Sequence, residues 1–317
     1  MTPFQLEPVY KPYLWGGTKL ITRYGKRTDL PVLAESWELS AHPSGDCIVS
    51  TGTFSGTPFS QVVLEHPEII GIGHTGGFPI LIKLIDAKQN LSVQVHPDDA
   101  YARRSGQRYG KTEMWVVLEA EPGTFMYCGF KRRISLAEFE RCIRDGSLTE
   151  VLRQIPARSG DVVFIPAGTI HAIGAGMVIA EIQQNSDATY RVYDFGRLDA
   201  NGNPRELHIK SALDVTLLEP ASCAAPGVRT LCRTPEVSME RLAECPYFTV
   251  DRIVLNGRYR LEASGESFIS LLCLEGSAVL DCGEERFYLS MGGSIFVPAD
   301  SPAYILSGKG VFLKVFI

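Results

Sequence analysis

The chain has 317 residues, of which 45% are hydrophobic and 21% are charged, and its formal net charge is −5. These values are those of an ordinary globular protein, long enough for one large core or for two domains. The negative charge gives no reason to expect nucleic acid or an anionic membrane as a partner. An anionic small molecule would therefore need local basic residues for its binding.

Targeting and redox signals are weak in this sequence. Residues 1–8 lack the basic start and the apolar block of a signal peptide. The most apolar run, residues 78–85, is too short to span a bilayer and contains Lys83. The cysteines are scattered without a Cys-x-x-Cys pair, which is typical of small core residues in a reducing compartment. We therefore expect a cytoplasmic protein.

Short runs of β-branched and apolar residues, bounded by Gly and Pro, follow one another along the chain. The clearest of them predict strands over residues 47–49, 80–86, 114–118, 161–165 and 177–182. Short strands with turn residues between them are typical of a sandwich or a barrel. We therefore predict a mainly β fold.

Helices are predicted in only a few places. Residues 98–105 follow Pro97, and proline favours the start of a helix. Ser135 and Ser147 are each followed three residues later by Glu, which is the capping-box spacing. The two helices that begin there predict a small helical insertion over about residues 132–155.

An internal repeat divides the sequence. Residues 160–171 have the pattern G-x5-P-x-G-x2-H, and residues 292–303 repeat its Gly and Pro spacing. The first copy ends on His171 and the second on Ala303. We therefore expect two related β-barrels, of which only the N-terminal one binds a metal.

Four residues of the N-terminal half form a candidate metal site. Gln94 and His96 are two residues apart in a β-rich run, so their side chains lie on the same face of the strand. Glu113 and His171 lie in or beside other predicted strands. Two imidazoles, a carboxylate and an amide oxygen suit a divalent metal and leave room for water or substrate. The remaining histidines are predicted to be structural: His42, His66, His74 and His208.

Several motifs resemble known families. Residues 160–171 resemble the second motif of the cupin superfamily, whose small β-barrels bind a metal inside. More closely, the chain resembles the type I mannose-6-phosphate isomerases of the short bacterial form. The segments that carry this resemblance, in the family's order, are residues 13–17, 35–43, 91–99, 111–115 and 185–194.

This resemblance implies a fold, an activity and a cofactor. The fold would be two cupin-like (jelly-roll) β-barrels: a metal-binding catalytic unit over residues 1–205, a connector over residues 206–233, and a degenerate unit over residues 234–317. The reaction would be the interconversion of mannose 6-phosphate and fructose 6-phosphate. One zinc ion per chain would be bound by Gln94, His96, Glu113 and His171, and the catalytic arginine would be Arg191.

Aldose–ketose isomerisation moves a proton between C1 and C2 through a cis-enediol, which needs a base and positive charge at the carbonyl oxygen. Zinc supplies a Lewis acid, and Arg191 can stabilise the enediolate. Lys83, which interrupts an apolar run, and Lys111 are candidates for binding the phosphate. Lys83 with a lowered pKa is alternatively the base. Asp187 is expected to orient Arg191 or to take part in proton transfer.

Two other functions stay open at this point. An iron-dependent cupin oxygenase would favour more imidazole ligands than a set that contains Gln94. A catalytically silent paralogue that binds sugar phosphate is the other alternative, since the copy that ends on Ala303 has lost its ligand. Oxygen uptake would identify the first, and absence of zinc-restored turnover the second. The sequence makes no prediction of the oligomeric state.

Overall fold

Antiparallel β-sheets dominate the computed structural model, which describes residues 1–74, 76–198 and 202–317. The prediction of a mainly β fold is confirmed. In those ranges, no helix is both long enough and apolar enough to cross a membrane.

Two sheets form the N-terminal barrel, with strands numbered in chain order. The larger sheet has the spatial order β12 (Val162–Ile165), β9 (Glu113–Ala120), β14 (Met177–Gln184), β7 (Ile80–Ala87), β3 (Glu35–Leu39) and β2 (Val9–Lys11). The smaller sheet has the order β11 (Leu152–Pro156), β10 (Phe125–Phe130), β13 (His171–Ile173), β8 (Val93–Val95) and β15 (Tyr190–Tyr193). Two short pairs flank them: β1 (Leu6–Glu7) with β6 (Ile48–Val49), and β4 (Ala41–His42) with β5 (Gly45–Asp46).

The core of this barrel lies between the two sheets. Trp115 and Val117 of β9 pack in one buried cluster with Met126 of β10 and Ile173 of β13. Each predicted strand run coincides with an observed strand, although β9 and β14 extend further than the apolar runs that predicted them. Strands buried on both faces need no alternation of polar residues, so apolar runs mark them well.

The C-terminal barrel is one strongly bent sheet. Its order is β16 (Arg229–Arg233), β17 (Val237–Glu244), β18 (Thr249–Leu261), β22 (Tyr304–Phe316), β19 (Ile269–Asp281) and β20 (Arg286–Ser290), with β21 (Ser294–Val297) also paired to β19. Buried side chains of β18, β19, β21 and β22 fill its interior, among them Leu255, Leu271, Ile295 and Phe312.

The internal repeat appears in both barrels as a strand and a following turn. In the two copies of the pattern, β12 and β21 occupy the same positions. Gly160 and Gly292 both have positive φ angles, +91° and +82°. In the first barrel the turn leads to His171, the first residue of β13, and in the second it leads to Ala303, just before β22. The expectation of two related barrels is therefore confirmed.

The described helices are short and lie outside the sheets: α1 (Lys19–Thr22), α2 (Phe59–Glu65), a 3-10 turn (Pro67–Ile69), α3 (Asp99–Arg104), α4 (Leu136–Asp145), α5 (Leu148–Val151) and α6 (Ile209–Val215). Asp98 caps α3, so Pro97 precedes the cap instead of opening the helix. The Ser135 hydroxyl accepts the Glu138 N–H, as the capping box predicts.

Ser147 does not form the predicted cap, because its hydroxyl donates to Asp145 at 2.5 Å instead. The insertion also ends earlier than expected, since β11 begins at Leu152.

The expected connector over residues 206–233 is more structured than its prolines indicate. It contains α6, which packs against β15, and the edge strand β16. The division of the chain at residues 205 and 234 stays a prediction.

The two barrels share an aromatic interface. Phe59 and Phe78 from the N-terminal half contact each other at 4.8 Å between ring centroids, and Phe268 stacks on Phe296 at 5.1 Å in the C-terminal half. Phe4 stacks on Phe296 at 5.1 Å and so joins the two groups. Since such rings bury large apolar areas, this interface fixes the barrels against each other.

One disulfide contradicts the expectation of reduced core cysteines. Cys128 of β10 is bonded to Cys223, which lies in the segment between α6 and β16. Arg153 of β11 donates hydrogen bonds to the carbonyl oxygens of Cys128 and Ala221. The bond and the arginine hold this segment against the smaller sheet of the N-terminal barrel.

Candidate metal centre and active site

The predicted metal ligands come from both sheets of the N-terminal barrel. His171 on β13 lies directly opposite Gln94 on β8. Arg191 on β15 lies opposite Gln94 on the other side. Glu113 is the first residue of β9 in the facing sheet, and its partner there is Ile165, at the end of β12. Because the two sheets face each other, these side chains meet inside the barrel.

Three of the four predicted ligands form a tight, buried cluster. Glu113 Oε1 lies 3.3 Å from His171 Nε2, and Glu113 Oε2 lies 3.5 Å from His96 Nε2. The ligand atoms of the three residues lie within 4.8 Å of one another. All three side chains are almost completely buried. This spacing allows one ion to contact all three.

Hydrogen bonds fix both imidazoles in the tautomer that a metal requires. His96 Nδ1 lies 2.6 Å from the carbonyl oxygen of Ala188, and His171 Nδ1 lies 2.9 Å from that of Thr169. A carbonyl oxygen only accepts, so each Nδ1 carries the hydrogen and each Nε2 presents its lone pair to the cluster. Burial lowers the pKa of His171 to about 4 and that of His96 well below its usual range, so both rings are neutral.

The cluster is already arranged around a positive charge. The Lys111 ammonium lies 2.8 Å from Glu113 Oε2 and 3.2 Å from His96 Nε2. Burial and the nearby Glu181 raise the pKa of Glu113, which means that its negative charge needs more compensation than Lys111 supplies. Two neutral imidazoles and a carboxylate short of positive charge fit a divalent metal ion.

Gln94 lies at the edge of the cluster. Its Nε2 is 3.4 Å from His171 Nε2, and its Oε1 is 3.4 Å from the Ser92 hydroxyl. Rotating the amide by half a turn exchanges oxygen and nitrogen and directs the oxygen toward the ligand atoms. Ligation by Gln94 therefore stays a prediction that its position supports.

A cavity of about 270 Å³ opens beside this cluster. Every predicted site residue that does not belong to the buried triad lines it: Lys83, Gln94, Lys111, Asp187 and Arg191. Trp15 and Trp37 form part of its wall and are buried in the core on their other faces. The structure thus brings the other predicted site residues to one cavity beside the buried triad.

Lys83 is a buried cation between two carboxylates. Its ammonium lies 3.4 Å from Glu181, its partner across the β7–β14 pair, and 3.6 Å from Glu35 of β3. The Trp37 ring lies below it at 5.0 Å. Burial alone would lower the pKa of Lys83, but the neighbouring carboxylates outweigh burial and raise it. The lowered pKa expected of a lysine base is therefore not found.

Asp187 and Arg191 both line the cavity. One role expected of Asp187 was to orient Arg191, but the two side chains do not contact each other. Asp187 accepts a hydrogen bond of 2.7 Å from the Ser44 hydroxyl. The Arg191 guanidinium donates to the carbonyl oxygen of Glu206 at 2.9 Å. The backbone of Arg191 is held by His208, whose Nδ1 accepts its N–H. The structural role predicted for His208 agrees with this contact.

Sequence reasoning missed several charged residues of this cavity: Glu35, Glu181 and Arg205. Glu181 lies in the middle of the buried strand β14, so it carried the same signal that singled out Lys83, a charge inside an apolar run. Arg205 carried no such signal, because it lies in a polar stretch. Only the return of the chain after β15 brings it to the cavity.

The fold and this site together define an enzyme of the cupin fold with a candidate divalent-metal centre. Two family patterns match the sequence: phosphomannose isomerase type I, catalytic domain, over residues 3–120, and mannose-6-phosphate isomerase, cupin domain, over residues 238–317. The chain belongs to the type I mannose-6-phosphate isomerase family. The predicted family and enzyme class are confirmed.

Named relatives and a solved structure agree with this assignment. The mannose-6-phosphate isomerase of Streptococcus mutans is 35% identical over 93% of this chain and 92% of its own length. The mannose-6-phosphate isomerase ManA of Bacillus subtilis is 33% identical over 96% of each chain. The crystal structure of the mannose 6-phosphate isomerase from Bacillus subtilis superposes with a TM-score of 0.94, at 34% identity and complete coverage of both chains.

Proposed function

We propose that this chain interconverts mannose 6-phosphate and fructose 6-phosphate as a zinc-dependent aldose–ketose isomerase, with one zinc ion per chain. The observation that carries the proposal is one cavity lined by Lys83, Gln94, Lys111 and Arg191 beside the buried triad of His96, Glu113 and His171. Relatives that align over almost the whole chain bear the name of this activity, which supports the choice of substrate.

His96, Glu113 and His171 would hold the zinc ion, with the Gln94 amide oxygen as the fourth ligand. The bound ion would supply a Lewis acid that polarises the sugar carbonyl. The two imidazoles are preorganised for this by their carbonyl contacts. Lys111 lies 3.8 Å from Glu181 and can turn to it when a metal takes over the charge of Glu113.

Glu181 is the residue that we propose as the proton acceptor. It lines the cavity, and its side chain is nearly fully buried. Burial alone would raise its pKa, but Lys111 and Lys83 outweigh burial and lower it, so the carboxylate is ionised and able to accept a proton. The proton would leave C2 for Glu181 and return to C1, through the cis-enediol. Lys83, which stays protonated, can donate a hydrogen bond to an oxygen of the substrate.

Arg191 would stabilise the enediolate. Its Nε is buried, and no described residue accepts a hydrogen bond from it, so a donor is left for the substrate. Losing one stabiliser of this kind costs on the order of 10²–10³ in rate. Lys111 and Asp187, which both line the cavity, would bind substrate hydroxyl groups.

We also propose that the enzyme works in the cytoplasm. Of the cysteines described, six are free thiols, which is typical of a reducing compartment. The Cys128–Cys223 bond is the exception to this pattern.

A coupled assay with mannose 6-phosphate tests the activity. Turnover should disappear after chelation and return with zinc, and metal analysis of the purified protein should find zinc. Turnover that survives complete chelation would contradict the metal role. Oxygen uptake that depends on iron would instead identify the oxygenase alternative, and folded, zinc-loaded protein without turnover would identify the silent paralogue.

Solvent exchange tests the proton acceptor. In D₂O, the wild type should place deuterium at C2 of recovered mannose 6-phosphate. The Glu181→Gln variant should bind zinc normally but lose both exchange and turnover by at least about 10²-fold. Exchange at the wild-type rate in this variant would assign the proton transfer to another group.

A further inference from the structure

Charge is distributed unevenly along the cavity. At the inner end, beside the metal ligands, Lys83 and Lys111 are each within 4.0 Å of two carboxylates. Their positive charge is therefore already compensated. A dianionic phosphate placed there would meet Glu35 and Glu181 as well as the lysines.

The outer end of the cavity has the opposite balance. Arg197 and Arg205 lie 3.9 and 2.6 Å from one buried carboxylate, that of Asp194. Arg191, which pairs with Gln94 nearer the metal ligands, is still close enough to be affected by the charges of Asp194, Arg205 and the exposed Glu206. Arg191 and Arg205 both line the cavity. Two guanidinium groups that share one carboxylate, with a third nearby, repel one another, and an added anion would relieve that repulsion.

Arg205 is the member of this group that is built to bind a ligand. Its Nε and Nη2 donate to the two oxygens of Asp194 at 2.7 and 2.6 Å, which fixes the plane of the guanidinium. Within the described ranges, nothing accepts a hydrogen bond from its Nη1. The side chain keeps 25% of its surface exposed, so an anion can reach it from the cavity.

We propose that Arg205, positioned by Asp194, binds the phosphate group of the substrate and makes the enzyme prefer phosphorylated sugars. This inference rests on the proposed function. It moves the phosphate from Lys83 and Lys111, where the sequence placed it, to the outer end of the cavity.

The spacing along β15 fits this arrangement. Arg191 lies opposite Gln94 and therefore beside the metal ligands. Asp194, which holds Arg205, follows three residues later, beyond an irregularity in β15, and so lies at most about 10 Å further along the chain. That is the order of length of a hexose 6-phosphate, whose reacting carbons and phosphate lie at opposite ends. A substrate with its phosphate at Arg205 would place C1 and C2 near the metal ligands, Glu181 and Lys83.

Kinetics of Arg205 variants test the assignment. Arg205→Gln should raise KM for mannose 6-phosphate by about 10- to 100-fold while kcat changes by less than about threefold, because a charge-assisted hydrogen bond to the non-reacting end of the substrate is lost. Arg205→Lys, which keeps the charge but not the planar geometry, should lie between Arg205→Gln and the wild type. Arg133→Gln, which removes an exposed arginine paired with Glu219, is the matched control and should behave as the wild type.

Inorganic phosphate provides a readout that does not depend on turnover. Calorimetry with phosphate, and its inhibition constant against mannose 6-phosphate, should show affinity lowered in Arg205→Gln by the same factor as KM. Phosphate affinity within about twofold of the wild type in both Arg205 variants would overturn the inference, as would a loss confined to kcat. If Arg205→Gln does not fold, the Arg205→Lys result decides.

The proposed function can fail separately. Zinc-loaded wild type without turnover, but with phosphate binding that depends on Arg205, would reject the isomerase reaction and keep the anion site.

Discussion

Gly168 and Asp300 occupy the same position in the two barrels, two residues after Pro166 and Pro298, and both have left-handed backbone, with φ angles of +83° and +56°. The Gly168 N–H donates to the carbonyl oxygen of His96 at 2.8 Å. The turn therefore ties one candidate metal ligand to the segment that leads to His171. In the C-terminal barrel the same turn geometry remains, but it leads to Ala303.

Gly168→Ala should damage the metal centre more than a comparable change elsewhere. An added Cβ would lie 2.9 Å from both the Val215 carbonyl oxygen and a Leu217 side-chain atom, in a backbone conformation that already disfavours alanine. We expect a loss of about 2 kcal/mol or more in the free energy of unfolding, together with weaker zinc binding.

Gly160→Ala is the control for that change, because Gly160 has a similar φ of +91° with open space around its Cβ position. It should cost about 1 kcal/mol and leave zinc affinity unchanged. Urea denaturation and zinc titration measure both effects. Equal zinc affinity in the two variants would contradict the role given to the turn.

Zinc stabilisation should depend on pH. In the metal-free protein the pKa of His171 is lowered from 6.5 to about 4, so the unfolded state binds more protons in that window and stability falls as the pH is lowered through it. The pKa of Glu113 is raised, so its contribution has the opposite sign and grows as the pH falls. These two contributions oppose each other.

Zinc needs all of these ligands deprotonated, so protons compete with it directly. The increase in Tm that zinc produces should therefore be largest near about pH 8 and largely lost near about pH 5. Scanning calorimetry with and without zinc measures it. A zinc-induced increase in Tm that is independent of pH over this range would exclude Glu113 as a ligand, because its raised pKa makes it the first of the three to be protonated.

Lys83→Met should lower the free energy of unfolding and also abolish activity. It removes the cation that lies between the buried carboxylates of Glu35 and Glu181, a loss of about 3–5 kcal/mol. Lys26 offers a matched control, because it forms a buried ion pair of 2.6 Å with Glu38 outside the cavity. The Lys26→Met substitution should lower the free energy of unfolding by a similar amount.

The two lysine variants should differ in catalysis. At a temperature where both are folded, kcat/KM should fall by at least about 10² in Lys83→Met and by less than about threefold in Lys26→Met. Denaturation curves measure the free energy of unfolding, and the coupled assay measures kcat/KM. Equal activity losses would show that Lys83 acts through stability alone.

The Cys128–Cys223 bond should be detectable chemically. Thiol titration of the denatured, unreduced protein should find six thiols, and prior reduction should raise the count to all eight cysteines. Because the bond joins residues 95 apart in sequence, Cys223→Ser should lower the free energy of unfolding by about 2–4 kcal/mol. Eight reactive thiols before reduction would show that the bond does not form.

Local patterns predicted most of the candidate metal centre. The spacing of Gln94 and His96 placed both side chains on one face of β8 and its continuation, and the turn pattern ending on His171 predicted the third ligand. Strand periodicity and turn chemistry depend on neighbours in the sequence, so they can be read without a structure. The repeat could be recognised for the same reason.

The roles of the charged residues could not be predicted in this way. The sequence leaves Lys83 open as a phosphate ligand or as a base with a lowered pKa, and Glu35 and Glu181 raise its pKa from two other strands. The sequence leaves Asp187 open as a residue that orients Arg191 or takes part in proton transfer, and its hydrogen bond goes to Ser44 instead of Arg191. In each case the deciding partner is distant along the chain.

The sequence by itself determined the β class, the repeat, the candidate metal ligands and the family, because these depend on residue type and spacing. The tertiary structure decided which charges compensate each other, which cysteines are bonded, and that Arg205 joins the cavity. Electrostatic interactions act through space, so a charge takes its role from whatever strands the fold packs around it. Here the fold leaves the lysines compensated and the arginine end of the cavity positive.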